Sequence, residues 1–99
     1  MIKQKTQILA EAEAYTGVNQ RIIIGRSRTN DTVMIRDAVC VVMKQALGLT
    51  DGSIAKAIGR DRSSISHAQR RHEKRVVEVD AYRMLYNHLL TKAQKGVAA

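Results

Sequence analysis

The segment from residue 50 to 75, TDGSIAKAIGRDRSSISHAQRRHEKR, constrains the fold of this chain more than any other stretch. It predicts two helices joined by a tight turn. Thr50 and Asp61 are N-cap candidates, because their side-chain oxygens can accept hydrogen bonds from free backbone N–H groups. Gly59 can end the first helix in the left-handed conformation. No glycine or proline interrupts residues 62–75, so the second helix should continue to Arg75.

The second predicted helix has two chemically different faces. Ile65, Ala68 and His72 recur at helical spacing on one side. A short helix, a glycine turn and a basic helix that begins with small polar residues are what a helix-turn-helix needs to enter a major groove. An ordinary helical hairpin with solvated charges is the alternative. The side opposite the apolar residues carries Ser63, Ser66, His67, Arg70, Arg71 and Lys74.

The charge balance indicates a polyanionic partner. The chain has 17 Lys and Arg against 9 Asp and Glu, a net charge of +8, which favours nucleic acid over a membrane surface. Three tyrosines are the only aromatic residues, whereas proteins that bind single strands stack bases on aromatic platforms, so duplex is favoured. No apolar stretch approaches the roughly 20 residues of a membrane span, and no signal peptide is visible. With Cys40 as the single cysteine and no secretion signal visible, we expect a protein of the reducing cytoplasm.

The rest of the chain is predicted to be helical, giving one all-α domain over residues 1–99. We expect a first helix over residues 5–15 and a short helical turn within residues 18–24 that buries two isoleucines. The apolar segment 32–47, capped by Asn30 or Asp31, should be the central buried helix.

A last helix is predicted over about residues 80–95, capped by Asp80 after a hinge at residues 76–79. Its apolar stripe either closes the core or pairs with a second copy of the chain as a homodimer. The stripe consists of Tyr82, Leu85, Tyr86, Leu89 and Leu90.

Two further basic features are candidates for binding. The loop 25–29 is either a solvated linker or an arm that lays an arginine in a minor groove, where negative potential is focused. Arg36 and Lys44 are eight residues apart on the central helix and should face the same way. That placement suits two backbone phosphates, with two solvated charges as the alternative.

Catalytic and metal-binding patterns are missing from the sequence. No GxxxxGK motif followed by Ser or Thr is present, and the acidic residues occur singly. His67 and His72 are five residues apart and fall on different helix faces, which is poor geometry for one metal ion. We therefore expect no enzyme activity, no metal and no cofactor.

Residues 25–75 resemble the C-terminal, origin-binding domain of the bacterial replication initiator DnaA. That family has a signature close to GRDHTTV-x-HA, which stands here as GRDRSSISHA at residues 59–68, and a basic loop that Arg26-Ser27-Arg28 matches. The resemblance extends over roughly residues 5–92. It implies an all-helical helix-turn-helix fold related to the Trp-repressor class and sequence-specific duplex binding without a bound cofactor.

The resemblance also implies roles for individual residues. Arg26, alone or with Arg28, would occupy the minor groove, while Arg62 and Ser63 would lie nearest the bases. Asp61 could accept a hydrogen bond from a cytosine amino group. Phosphates would be held by Arg36, Lys44 and Arg60. The full set predicted to contact DNA is Arg26, Arg28, Arg36, Lys44, Arg60, Asp61, Arg62, Ser63, Ser64, His67, Arg70 and Arg71.

This chain departs from the family pattern at three places. Arg62 replaces a histidine, and arginine pairs best with O6 and N7 of guanine, so the preferred site need not be the initiator's own. One glycine, Gly59, stands where the family has a pair. His72 replaces an aliphatic residue on the inward face.

These observations predict a free-standing, sequence-specific double-stranded DNA-binding protein without the initiator's ATPase module. We expect a phage, prophage or mobile-element regulator of transcription, with RNA polymerase or another regulator as a further candidate partner. One alternative is a replication-origin binder that competes with or assists the initiator. The other is a basic adaptor that docks on an acidic protein, which would bind specific and scrambled duplexes equally.

Overall fold

All secondary structure in the described residues, 2–26 and 28–98, is helical in this computed structural model. No strand occurs in these two ranges, so the all-α prediction is confirmed. Ser27 of the predicted basic loop, Met1 and Ala99 lie outside the described residues. In chain order the helices are α1 (Ile2–Thr16), α2 (Gln20–Ile23), α3 (Asn30–Leu47), α4 (Asp51–Ile58), α5 (Arg62–Glu78) and α6 (Asp80–Ala98).

Helix α3 is the centre of the molecule, as its apolar run predicted. Every residue from Ile35 to Met43 is buried, because all five other helices pack against α3. Its N-cap is Thr29 rather than Asn30 or Asp31: the Thr29 Oγ1 accepts from the Thr32 N–H at 3.4 Å. The helix therefore begins one residue earlier than an Asn30 cap would place it and two residues earlier than an Asp31 cap would.

Helix α6 closes the core by packing on α1, α3 and α5. Within its predicted stripe Tyr82, Leu85 and Leu89 are buried, while Tyr86 and Leu90 are partly buried against the same cluster. Of the two predicted roles of the stripe, closing the core is therefore the one observed. Tyr82, Leu85 and Leu89 are therefore covered within the chain and are not available to a second copy of it.

The boundary between α5 and α6 differs from the prediction. No hinge spans residues 76–79, because α5 continues through Glu78 and only Val79 separates the two helices. Val76 packs against the core, which offsets the low helix propensity of a β-branched residue and lets α5 continue past Arg75. Asp80 is the first residue of α6 rather than its cap, and its carboxylate pairs with Arg83.

Helices α1 and α2 cover one side of the core. Ile8, Leu9 and Ala12 of α1 are buried, whereas Tyr15, near the C-terminal end of the helix, is 43% exposed. The short turn predicted in residues 18–24 exists as α2. It buries Ile23 fully and the following Ile24 partly. None of the helices in the described ranges is long and apolar enough to span a membrane.

Candidate nucleic-acid interface

The α4–α5 pair forms as its sequence predicts. The Ser53 N–H donates to the Thr50 Oγ1 at 3.2 Å, which caps α4. Gly59 ends the helix with a φ of 65°, and the Arg60 N–H donates to the Ala55 carbonyl at 2.9 Å. Ile54, Ala55 and Ile58 are buried, so one side of α4 is fixed to the core.

The two faces of α5 are also as predicted. Ile65 and Ala68 are almost fully buried, and His72 is 8% exposed. The His72 Nδ1 and the Tyr82 hydroxyl lie 2.7 Å apart in a hydrogen bond, so the inward polar group has a partner. Burial lowers the pKa of His72 below its usual value. All of the residues predicted for the opposite face are exposed: Ser63, Ser66, His67, Arg70, Arg71 and Lys74.

A cleft of about 770 Å³ lies between the basic loop and the start of α5. Val33, Cys40, Ile58 and Ala68 contribute apolar atoms to its lining. The loop and the second helix were predicted to contact different grooves of a duplex, and the structure places both on one side of the molecule. The predicted site residues that line this cleft are Arg26, Arg28, Arg36, Arg60, Asp61, Ser64 and Arg71.

Arg62 lies in a second depression, between α4 and the first turn of α5. Its guanidinium extends over Gly52, where a Cβ atom would come within 3.1 Å of Nε and Nη2. Because residue 52 has no side chain, the Arg62 guanidinium can pack directly against the backbone of α4. Lys56, which was not among the predicted site residues, is exposed and lines the same depression.

Asp61 occupies the N-cap position of α5 without capping it. Its backbone is extended, with φ −79° and ψ 160°, but its carboxylate accepts no capping hydrogen bond. The capping part of the prediction is therefore wrong. The exposed carboxylate at the entrance of α5 remains free to accept hydrogen bonds from outside the protein.

Arg36 and Lys44 do not share one exposed face. Arg36 is 8% exposed, and its Nε and Nη2 donate to the Ile23 and Gly25 carbonyls at 2.7 and 3.2 Å. Lys44 is exposed, and its Nζ lies 2.6 Å from the Asp51 Oδ1. A phosphate contact requires an exposed side chain, whereas Arg36 is buried and binds carbonyls of the protein itself. The predicted phosphate contact therefore does not suit Arg36. Burial, and then the positive charge of Arg60, lower the pKa of the Arg36 guanidinium.

Arg60 is likewise bound to main-chain carbonyls. Its Nη2 donates to the Gly25 carbonyl, and its Nη1 donates to the Gly59 carbonyl at 3.3 Å. The side chain is half-buried at the edge of the cleft. Two guanidiniums from different parts of the chain thus meet at one carbonyl of the basic loop.

Asp37 was missed as a site residue. It is 2% exposed, and its carboxylate accepts from the Arg71 Nε and Nη2 at 2.8 and 2.9 Å and also from Arg75. The hydrogen bonds to Asp37 raise the pKa of Arg71. The signal in the sequence was an aspartate inside an apolar helix, together with two arginines four residues apart on α5. Nothing in the sequence alone shows that these groups meet.

The described residues contain no group of three or more His, Cys, Asp and Glu side chains that could hold a metal ion. His67 is exposed on the outer face of α5 and His72 is buried on its inner face, which agrees with their predicted separation. Comparison with known protein families, with curated proteins and with solved structures gives no match for this chain. The resemblance to the DnaA domain therefore depends on the quoted residues.

Proposed function

We propose that this chain is a sequence-specific double-stranded DNA-binding protein in which α4 and α5 act as a helix-turn-helix of the DnaA C-terminal type. The observation that carries the proposal is the exposed polar and basic face of α5 beside a loop with two exposed arginines, Arg26 and Arg28. An α-helix fits the major groove of B-DNA, and arginines suit the narrow, electronegative minor groove. One side of the molecule therefore offers both kinds of contact.

Specificity in this proposal comes from the start of α5. Arg62 and Ser63 are exposed in the first turn, where a recognition helix contacts base edges. Arg62 is suited to O6 and N7 of guanine, and the uncapped Asp61 carboxylate can accept from a cytosine amino group. His67, Arg70 and Lys74 lie further along the exposed face, where they can contact the base edges or the phosphates on either side.

The proposed biological role is regulation of transcription by a phage, prophage or mobile element. The resemblance to an origin-binding domain makes binding at a replication origin the second candidate. Both roles need the same physical property, which is preference for one duplex sequence over others. The target sequence separates them, because an origin binder should select a motif similar to the initiator's own.

Selection of bound duplexes from a random library at physiological salt tests the proposal. We expect one enriched motif and an affinity that falls steeply with salt, because each neutralised phosphate releases counterions. An absence of enrichment, or equal affinity for the motif and its scrambled form, contradicts sequence-specific binding and directs the search to an acidic protein partner.

Arg62→Ala tests the assigned base contact. The variant should lose about 1–3 kcal/mol of binding free energy and accept any base at one position of the motif. Lys92→Ala is a matched control, because Lys92 is an exposed cation on α6, outside both depressions. A loss for Arg62→Ala that is uniform across all sequences would instead assign Arg62 to the DNA backbone.

A further inference from the structure

The carbonyl of Gly25 accepts hydrogen bonds from two arginines that are distant in the sequence. Arg36 reaches it from α3, and Arg60 reaches it from the turn between α4 and α5. A carbonyl oxygen has two lone pairs, so this one acceptor can serve both guanidiniums. The basic loop is thereby connected to the central helix and to the turn that precedes α5.

Other contacts strengthen this connection. Arg36 also donates to the Ile23 carbonyl at 2.7 Å, so it holds the chain at two points just before Arg26. Gly25 tolerates no side chain, because a Cβ atom would lie 2.6 Å from the Arg21 carbonyl oxygen. The start of the loop is therefore fixed in two ways. The backbone packs closely at Gly25, and the guanidiniums of Arg36 and Arg60 bind its carbonyl.

Holding two arginines at the Gly25 carbonyl has an electrostatic cost. Two guanidiniums at one neutral carbonyl repel each other, and burial of Arg36 adds a desolvation cost. Arg60 is half-buried, and both of its terminal nitrogens donate to main-chain carbonyls. A residue whose only task was to contact a phosphate would extend into solvent instead.

We propose that Arg60, together with Arg36, is a positioning residue that sets the loop arginines at a fixed place relative to the start of α5. The inference rests on the proposed function, and it replaces the predicted phosphate contacts of these two residues. Held in this way, Arg26 and the first turn of α5 meet the minor and major grooves in one fixed register. The DNA site then needs a fixed spacing between the base pairs contacted in the minor groove and those contacted in the major groove.

A double-mutant cycle on the selected duplex tests the inference. Arg26→Ala alone should weaken binding roughly tenfold if the arginine occupies the minor groove. In the background of Arg60→Gln the same change should cost much less, because the loop no longer presents Arg26 correctly. Lys56→Gln is the control: it removes one exposed positive charge nearby, and its effect should multiply with that of Arg26→Ala without coupling.

A second measurement requires no DNA. Trypsin cleaves after Arg26 and Arg28, and cleavage at these sites should accelerate several-fold in Arg60→Gln but not in Lys56→Gln, at equal helix content by circular dichroism. If Arg60→Gln does not fold, Arg60→Lys retains the charge and one donor group, and should show the same two effects at smaller size. The inference is overturned if the effects of Arg26→Ala and Arg60→Gln on binding simply multiply and if trypsin cleaves the Arg60 variant no faster than the wild type.

The outcomes distinguish the inference from the function on which it rests. A wild-type chain that selects no duplex motif contradicts the proposed function, whatever the cleavage rates are. A chain that selects a motif but shows no coupling between Arg26 and Arg60 keeps its function and loses the positioning role. Coupling together with faster cleavage supports both.

Discussion

Two neighbouring arginines on α5 show that exposure alone does not decide which cations are free to bind a partner. Arg70 is exposed and makes no ion pair with any described residue. Arg71, the next residue, directs its guanidinium to Asp37 on α3, which also binds Arg75. The rotation of about 100° between successive helix residues separates a cation that is free to bind a partner from one that is used for folding.

The same contrast holds around the loop. Arg26 and Arg28 are exposed at the cleft, whereas Arg36 and Arg60 donate to carbonyls of the loop and the turn. The net charge of +8 therefore overstates the charge that can face DNA. Arg36 and Arg60 instead hold the loop and the turn in place beside the exposed cations.

The largest effect expected from this comparison is that of Asp37→Asn. The change leaves Arg75, whose side chain is 18% exposed, and Arg71 without their carboxylate. Breaking a buried ion pair from one side costs 3–5 kcal/mol, and we expect a loss of about 3 kcal/mol in the free energy of unfolding, since Arg71 is partly in water. Urea denaturation followed by circular dichroism measures it.

The matched control for Asp37→Asn is Glu73→Gln, which removes an exposed carboxylate from α5. A surface change of this kind should stay within about 0.5 kcal/mol of the wild type. Equal stability of the two variants would show that the carboxylate of Asp37 does not hold α3 and α5 together.

The next effect compares Arg71→Gln with Arg70→Gln, which remove the same charge. Arg71→Gln should lower the free energy of unfolding by about 1–2 kcal/mol, because Asp37 loses a bidentate partner while Arg75 remains. Arg70→Gln should leave stability within about 0.5 kcal/mol and reduce the salt dependence of duplex binding by about one phosphate. Urea denaturation and binding at several salt concentrations distinguish the two arginines. Equal free energies of unfolding for the two variants would contradict the inference that Arg71, and not Arg70, holds α5 against α3.

The sequence predicted what depends on local spacing. The apolar face of α5, the Thr50 cap and the left-handed Gly59 all follow from residues within a few positions of one another, and all are confirmed. The cap of α3 was placed wrongly because Asn30 and Asp31 are strong caps in isolation, whereas Thr29 makes the bond.

What depends on distant residues was not predictable. Arg36 looks like a surface cation on a helix wheel, and only the fold brings the Ile23 and Gly25 carbonyls to it. We predicted a hinge over residues 76–79, but Val76 lies within α5 and packs on the core, so only Val79 falls between the two helices. The DNA-contacting roles of the exposed residues stay predictions that the experiments above test.

The two histidines of α5 give a third, pH-dependent effect. Burial lowers the pKa of His72 below the usual 6.5, so near that pH the unfolded chain binds a proton that the folded chain does not. Stability should therefore be full above pH 6.5 and fall as the pH is lowered through the range between 6.5 and the folded-state pKa. Urea denaturation at a series of pH values measures this loss.

His72→Leu should remove that component of the pH dependence, because the aliphatic side chain binds no proton in either state. His67→Gln, which changes the exposed histidine on the opposite face, should retain it. A pH profile that is altered by the His67 change and not by the His72 change would contradict the assignment.

The smallest effect on stability, and the one most specific to the outer surface, is expected from Gly52→Ala. Alanine favours helix over glycine, so the first turn of α4 should gain about 0.5 kcal/mol. The new Cβ would lie 3.1 Å from the Arg62 guanidinium, which is the mobile end of a long side chain and can move aside. The variant should therefore melt at a slightly higher temperature while the base preference assigned to Arg62 weakens in a repeated selection. Because stability and specificity change in opposite directions, a general loss of structure cannot imitate this result. An unchanged motif would show that Arg62 can bind its base without packing its guanidinium against Gly52.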